Sequence, residues 1–390
     1  MSRSKSAFLC PDDGRVVFLG KHVFLVSTET SGDLLAGRLL DALNDSMDDL
    51  TVTGVGGDDA EKAGMRLDYH IRDFNVMGLF EVLAKLKQLK AMFNHLVAQV
   101  RQRKPDVIVL IDAPDFNLRF AAAVKGLGIP VIYYVSPQVW AWRKGRARKI
   151  ARLVDHMMVL FSFETEIYRG LNLKTTWVGH PLVDELGDYG DKDSFLREHN
   201  LDGNKPLVAL APGSRNSVVD KLLPTMAQVV QARKDRYQFV LPLAGTIDEE
   251  RVRRILGSDE VVILPGMMRQ IMFHADAAVV ASGTGTLETG LLRTPLIVGY
   301  RLKLASFLLA LMLVKTPHVA LVNIVLGKRV VPELMQGQFS LDRILPLLDD
   351  LVTEGPLRSQ MLEEFARLED ILGGGGAATR AARVVKEYLS

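Results

Sequence analysis

Short, nearly continuous apolar runs alternate with longer stretches whose apolar positions recur every three or four residues, from residue 22 almost to the end of the chain. The runs at 22–27, 50–55, 107–111, 131–135, 157–160 and 175–178 are rich in Val, Ile and Leu and do not alternate with polar residues. That is the pattern of strands covered on both faces of a parallel sheet. A second series follows at 207–210, 238–241, 261–264, 277–281 and 296–298, each run succeeded by a helical pattern, as 32–43 succeeds the first run. Between the two series the chain turns polar over 187–193, which places a boundary near 184–191. The fold class predicted is α/β, with two doubly wound lobes and a cleft between them, since open parallel sheets bind ligands beyond the carboxyl ends of their strands. The division expected is an N-terminal arm over 1–21, a first lobe over 22–186, a second over 187–354 and a C-terminal helical segment over 355–390. That last segment either packs back on the first lobe or is exchanged in a dimer. The glycine run 373–376 before a final helix at 377–389 reads as a hinge or as a plain helix stop.

Length and composition add three limits. At 390 residues the chain exceeds one ordinary core, and 48% hydrophobic with 24% charged residues excludes a largely disordered protein. Lys and Arg total 48 against 46 Asp and Glu, so a net charge of +2 supplies no global field for nucleic acid, and none is expected as a partner. Cys10 is the only cysteine, and Pro11-Asp12-Asp13 interrupts the first apolar stretch too soon for a signal peptide. The longest apolar run, 304–314, is well short of the roughly 20 residues of a membrane span. A cytoplasmic protein is expected.

Candidate chemistry clusters where strands end. The first strand leads into Glu29-Thr30-Ser31-Gly32-Asp33, a small-residue loop opening a helix, which presents free backbone N–H groups to an anion or is simply capped by Thr30 or Ser31. The run 107–111 ends in Asp112-Ala113-Pro114-Asp115. Position favours Asp112 as a general base and Asp115 as a helix cap, with a pair of turn formers around Pro114 as the bland alternative. Ser136 precedes Trp140 and Trp142, followed by Arg143, Lys144, Arg146, Arg148 and Lys149. This tract suits a solvated basic helix, single-stranded nucleic acid or an anionic amphiphile.

In the second series, 207–210 leads to Gly213-Ser214-Arg215 and a helix. Loop amides, helix dipole and a guanidinium together make a diphosphate clamp without the Lys of an ATPase loop. The run 277–281 leads to Ser282-Gly283-Thr284 and, one turn on, Glu288, a carboxylate able to take two ribose hydroxyls or merely an acidic first-turn residue. Cations flank the run 304–314, as in an interfacial helix or a buried one. The eight histidines show no metal-ligand spacing, so no metal or cofactor is expected.

These segments together resemble the lipid-A-disaccharide synthases, inverting glycosyltransferases of the two-lobed, Rossmann-like GT-B type. The matching stretches are Glu29 to Asp33, Met77 to Leu83, Ile111 to Asn117, Tyr134 to Arg143, Val178 to Pro181, Pro212 to Arg215, Ala281 to Glu288 and Val298 to Arg301, spread over the chain after Lys21. The resemblance implies transfer from UDP-2,3-diacylglucosamine to 2,3-diacylglucosamine 1-phosphate, giving a β-1,6 disaccharide 1-phosphate and UDP without a metal. It implies Asp112 and Arg215 as catalytic. Glu29, Ser31, Gly32, Asp33, Ser136, Trp140, Gly213, Ser214, Arg215, Ser282, Gly283, Thr284 and Glu288 are then substrate-binding, with Asn323 and Gln336. It further implies a homodimer lying peripherally on the inner-membrane phospholipid surface, at its cytoplasmic face. Two other readings remain: another UDP-sugar enzyme of the same shape, such as a UDP-N-acetylglucosamine 2-epimerase, and a non-catalytic nucleotide- or RNA-binding protein using the Trp140 tract.

Overall fold

The computed structural model describes residues 7–9, 16–18, 20–74, 82–137, 144–302 and 317–390. They form two compact units, Met1–Asp184 with Gly375–Ser390, and Glu185–Gly374. In the first unit, strands β1 (Ala7–Leu9) and β2 (Val16–Phe18) pair as an antiparallel hairpin. The main sheet follows: β3 (Lys21–Ser27), β4 (Leu50–Gly56), β5 (Arg66–His70), β6 (Val107–Ile111), β7 (Val131–Tyr134), β8 (His156–Val159) and β9 (Lys174–Trp177). Its order is β5-β4-β3-β6-β7-β8-β9, every neighbour parallel. Helices α1 (Thr30–Asn44), α2 (Asp58–Lys62), α3 (Val82–Arg103), α4 (Pro114–Val124), α5 (Lys144–Leu153) and α6 (Thr165–Tyr168) connect the strands.

Residues of β3 sort by parity. Val23 and Leu25 join a core with Leu35, Leu39 and Leu43 of α1, whereas Phe24 and Val26 join the opposite core with Leu96 of α3, Phe120 of α4 and Ile150 of α5. Both faces are thus covered, and the non-alternating apolar runs follow from that. The edge strand β5 was not foreseen, because Arg-Leu-Asp-Tyr-His is only half-buried and carries no apolar run.

The second unit repeats the plan. Its strands β10 (Leu207–Ala211), β11 (Gln238–Leu243), β12 (Val261–Pro265), β13 (Ala277–Ala281), β14 (Leu296–Tyr300) and β15 (Glu333–Met335) lie in the order β12-β11-β10-β13-β14-β15, all parallel. Helices α7 (Lys192–Glu198), α8 (Asn216–Arg233), α9 (Glu249–Leu256), α10 (Met268–His274), α11 (Thr284–Leu291), α12 (Leu321–Leu326), α13 (Leu341–Val352), α14 (Pro356–Phe365) and α15 (Leu368–Ile371) complete it. Strand β15 was also not foreseen, being three residues long.

The last helix, α16 (Ala377–Lys386), belongs to the first unit. The segment expected as one piece over 355–390 is therefore divided at Gly374, and the first boundary falls at Asp184. Glycines 373 to 376 all have positive φ, from 61° to 103°, which no run of other residues adopts readily, so the glycines form a left-handed connector. The Asp184 carboxylate accepts the N–H groups of Gly376 and Ala377, capping α16. Ala381, Val384, Val385 and Leu389 then bury against the α1 core.

Removing 375–390 uncovers that apolar face, worth about 1.5–3 kcal/mol for each large side chain. We expect calorimetry to show the first unit's transition at lower temperature and the second unit's unchanged. Equal shifts in both would contradict the assignment of α16 to the first unit.

Candidate active site

In each sheet one pair of adjacent strands marks the point where strand order reverses: β3 beside β6, and β10 beside β13. Connections leaving such a pair diverge to opposite faces and leave a crevice at the strands' carboxyl ends. The register sets Ser27 level with Ile111, and Ala211 level with Val280. The four segments singled out by sequence therefore lie beside one another two by two.

In the first unit, α1 begins at Thr30 with Glu29 in the cap position, extended at φ −130° and ψ 152°, and no side chain closes the cap. The expectation that Thr30 or Ser31 caps the helix is corrected: both lie inside its first turn. Gly32 sits where a Cβ would stand 2.6 Å from the Ser27 hydroxyl. Asp33 is buried and accepts N–H bonds from Gly57 at 2.6 Å, Asp59 at 3.0 Å and Ala60 at 3.2 Å. Its carboxylate thus caps α2, whose own cap residue, Gly57, has no side chain.

Past β6 the backbone takes two successive left-handed residues, Asp112 at φ 50° and Ala113 at φ 43°. Each such non-glycine residue costs about 1–3 kcal/mol and persists only where its surroundings fix it. Here Tyr133 donates its hydroxyl hydrogen to the Asp112 carbonyl at 2.5 Å, and the Asn117 amide donates to the carbonyls of Ile111 at 3.0 Å and Asp112 at 2.9 Å. Burial pushes the Asp112 carboxyl above its ordinary range, against a weaker pull from the Ala113 N–H. Asp115 is not the cap. Ala113 holds that position with Pro114 following, and the Asp115 carboxylate is almost wholly exposed, 3.5 Å from Arg146. Beyond β7, Val135 is left-handed at φ 75° and Ser136 is buried, its hydroxyl 2.8 Å from that of Tyr168. Trp140 and Trp142 lie outside the described residues, as does the run 304–314.

In the second unit Gly213, at φ 103°, turns the chain from β10 into α8, and Thr246 donates its hydroxyl hydrogen to the Ser214 carbonyl at 2.7 Å. Arg215 occupies the cap position of α8; its side chain is exposed and, among the described residues, has no hydrogen-bond or ion-pair partner. Past β13, Gly283 is the cap residue of α11, and Thr284 opens that helix. The first-turn N–H groups of α8 and α11 thus issue from adjacent strands, an arrangement suited to an anion. Glu288 meets the Arg269 Nε at 2.6 Å, and Arg269 also bonds Glu185.

Three further expected binding residues hold the chain itself, as Asp33 does. Asn323 is fully buried, accepting from Val330 and Val331 N–H and donating to the Val331 carbonyl and Glu333. Glu333 accepts also from Val319 and Ala320, and the Ser282 hydroxyl donates to the Val319 carbonyl at 2.6 Å. Gln336, left-handed at φ 51°, accepts from the Leu302 N–H at 2.8 Å. Glu333, Asn117, Tyr133 and Arg301 carry these supports without having been singled out. A carboxylate within Val-Pro-Glu-Leu, an otherwise apolar setting, was the available signal for Glu333. Arg301 ties the Lys221 and Gln336 carbonyls and Thr225 together. Among the described residues, no group of three His, Cys, Asp or Glu side chains is placed to hold a metal.

A family model described as lipid-A-disaccharide synthetase matches residues 23–361. The chain belongs to that family. Similar proteins include the lipid-A-disaccharide synthases of Syntrophus aciditrophicus, 42% identical and covering 93% of this chain and 96% of the relative, and of Myxococcus xanthus, 40% identical over 94% and 97%. That of Coxiella burnetii is 36% identical over 95% and 99%. Among solved structures, a putative UDP-N-acetylglucosamine 2-epimerase from Listeria monocytogenes superposes with TM-score 0.63 at 13% identity, covering 95% and 97%. The calicheamicin glycosyltransferase does so at 0.58 and 14%, covering 95% and 98%. At such identities the likeness shows the two-lobed GT-B fold alone.

Replacing Asn323 with Ala leaves two buried N–H groups and a buried carboxylate short of partners. Urea denaturation should show a loss of about 2–4 kcal/mol. An unchanged midpoint would mean that the amide's bonds contribute nothing to the fold.

Proposed function

We propose that this chain is an inverting glycosyltransferase joining UDP-2,3-diacylglucosamine to 2,3-diacylglucosamine 1-phosphate, the lipid-A-disaccharide synthase reaction. Family membership across residues 23–361 carries the reading. The O6 hydroxyl of the acceptor attacks the donor's anomeric carbon, an O6–C1 bond forms, and the bond from C1 to the β-phosphate oxygen breaks with its electron pair leaving on UDP. Inversion at C1 gives the β-1,6 link. Asp112 accepts the hydroxyl proton, and its raised affinity for protons suits a base at neutral pH. Arg215 and the first-turn amides of α8 and α11 take the charge that grows on the diphosphate. Glu288 is the ribose ligand on this reading, with Arg269 fixing its carboxylate. Glu29, Ser31, Gly32, Ser136 and Trp140 are assigned to substrate, while Asp33, Ser282, Asn323 and Gln336 act by shaping the loops they hold.

Both substrates carry acyl chains, which supports peripheral attachment to the cytoplasmic face of the inner membrane. No helix among the described residues is long and apolar enough to cross a bilayer. A homodimer is proposed on the family resemblance alone. Vesicle flotation and light scattering check the two. The epimerase reading rests on fold likeness at 13% identity and explains neither the acyl-lipid family nor a base paired with an acceptor.

The deciding assay is acceptor-dependent UDP release in detergent micelles with excess chelator. Asp112→Ala should lower kcat about 10²–10⁴-fold and Arg215→Ala about 10²-fold. Asp112→Asn should be equally slow yet no less stable, since it removes a charge that burial disfavours. Because burial raises the Asp112 pKa, the base form is lost as pH falls through that raised value, so kcat/KM should decline on acidification from a midpoint above the ordinary aspartate value of about 3.9. UDP release that ignores the acceptor, or survives in Asp112→Ala, would overturn the assignment.

A further inference from the structure

Two residues past Asp112 the chain enters a groove of 680 Å³ between α4 and α5. Pro114, Leu118 and Ala122 give it an apolar floor, and Arg119, Arg146 and Lys149 give it a basic wall. Arg119 and Lys149 are exposed and have no ion-pair or hydrogen-bond partner among the described residues, and Arg146 has only the 3.5 Å contact with Asp115. Three cations against one carboxylate leave a local charge of +2, the complement of a phosphomonoester at about −1.5 to −2. The first turns of two helices, 11 and 10 residues long, open on the same groove and add their positive ends. Nothing in the chemistry assigned to Asp112 uses these cations.

We propose that this groove is the subsite for the phosphate group of the acceptor, a proposal that rests on the glycosyltransferase reading. The acceptor differs from a neutral sugar by that phosphate, carried on C1, across the ring oxygen from C5, which bears the attacking hydroxymethyl. A basic groove starting beside the base therefore both recruits the acceptor and turns O6 toward Asp112. Orientation by a remote charged group is the ordinary way to convert binding into reaction geometry. Placement separates this groove from another basic hollow of the first unit, lined by Lys125, Arg148, Arg152 and Lys174. That hollow includes Asp155, at the amino end of β8, on the sheet edge away from Asp112. Its lysines are already paired, Lys125 with Asp155 and Lys174 with Glu387.

The test compares phosphorylated acceptor with its dephosphorylated counterpart in neutral micelles free of anionic lipid. Arg119→Gln, Arg146→Gln and Lys149→Gln should each raise KM for the phosphorylated acceptor about tenfold, leaving donor KM and the rate with dephosphorylated acceptor within about threefold. The triple variant should lose discrimination between the two acceptors, Lys149→Arg should restore much of it, and Arg148→Gln with Arg152→Gln should leave it intact. Thermal unfolding verifies that the triple variant folds, Arg119 and Lys149 being exposed and Arg146 half-buried. Wild-type turnover with discrimination unchanged in the triple variant overturns the phosphate site and leaves the transferase reading standing. If the wild type shows no acceptor-dependent turnover, that reading falls, and calorimetric titration with glucosamine 1-phosphate judges the groove by itself. Binding lost in the triple variant supports an anion site there, and equal or absent binding removes it.

Discussion

Parallel strands joined by right-handed crossovers place every strand's carboxyl end on one edge of its sheet, and the rest of the molecule is organised around that constraint. In both units the first strand of the sheet lies beside the point of reversal, so its loop and that of its later partner open a crevice. The backbone outliers follow the same edge. Asp112 and Ala113 after β6, Val135 after β7 and Gln336 after β15 are left-handed without being glycine, whereas Lys104, Asn200 and Arg293 merely end helices. Strain at strand ends has paid supports, namely Tyr133 and Asn117 under Asp112 and the Leu302 backbone against the Gln336 amide.

Carboxylates in the molecule divide by what occupies their oxygens. Asp33 takes three backbone N–H groups and Glu333 takes two together with the Asn323 amide, so each is a staple between segments distant in sequence. Asp112 is half-buried, and desolvation outweighs the pull of the Ala113 N–H on its carboxyl. A carboxylate saturated by donors has little left with which to take a proton. Asp112 combines position at the reversal point with lone pairs still available.

The apolar runs made eleven strands legible because burial on both faces leaves no polar alternation to obscure them. Strands β1, β2, β5 and β15 were not, since three-residue strands, one of them carrying a buried Glu, and an edge strand half-open to solvent have no such run. Helix starts at Glu29 and Ala113 differ from the expected caps because the backbone's turn out of the strand, not a side-chain bond, begins the helix. The tracts bearing the site were visible as tracts, while the division between ligand and staple was not. A short polar side chain near a loop can bond either the loop or a ligand. For Asp33 the answer lies 24 residues away at Gly57, and for Asn323 at Val330 and Val331, distances that local pattern does not span.

The two parts of the proposed diphosphate clamp differ in how far they are arranged before a ligand arrives. Gly213, the Thr246 bond to Ser214 and the register of β10 with β13 hold the helix amides in place before any ligand arrives. Glu288 is likewise set in advance by Arg269. On the proposed mechanism such prearranged donors contact the bound diphosphate and stabilise the charge that grows on it without reorganising. Arg215 differs, because its guanidinium is exposed with no carboxylate among the described residues to be drawn away from. Ordering that side chain costs entropy that ground-state contact with an already bonded phosphate repays poorly. As C1 departs and a full charge gathers on the β-phosphate, the same contact strengthens without further reorganisation of the loop. On the proposed mechanism Arg215 therefore serves the rate of the chemical step more than donor binding.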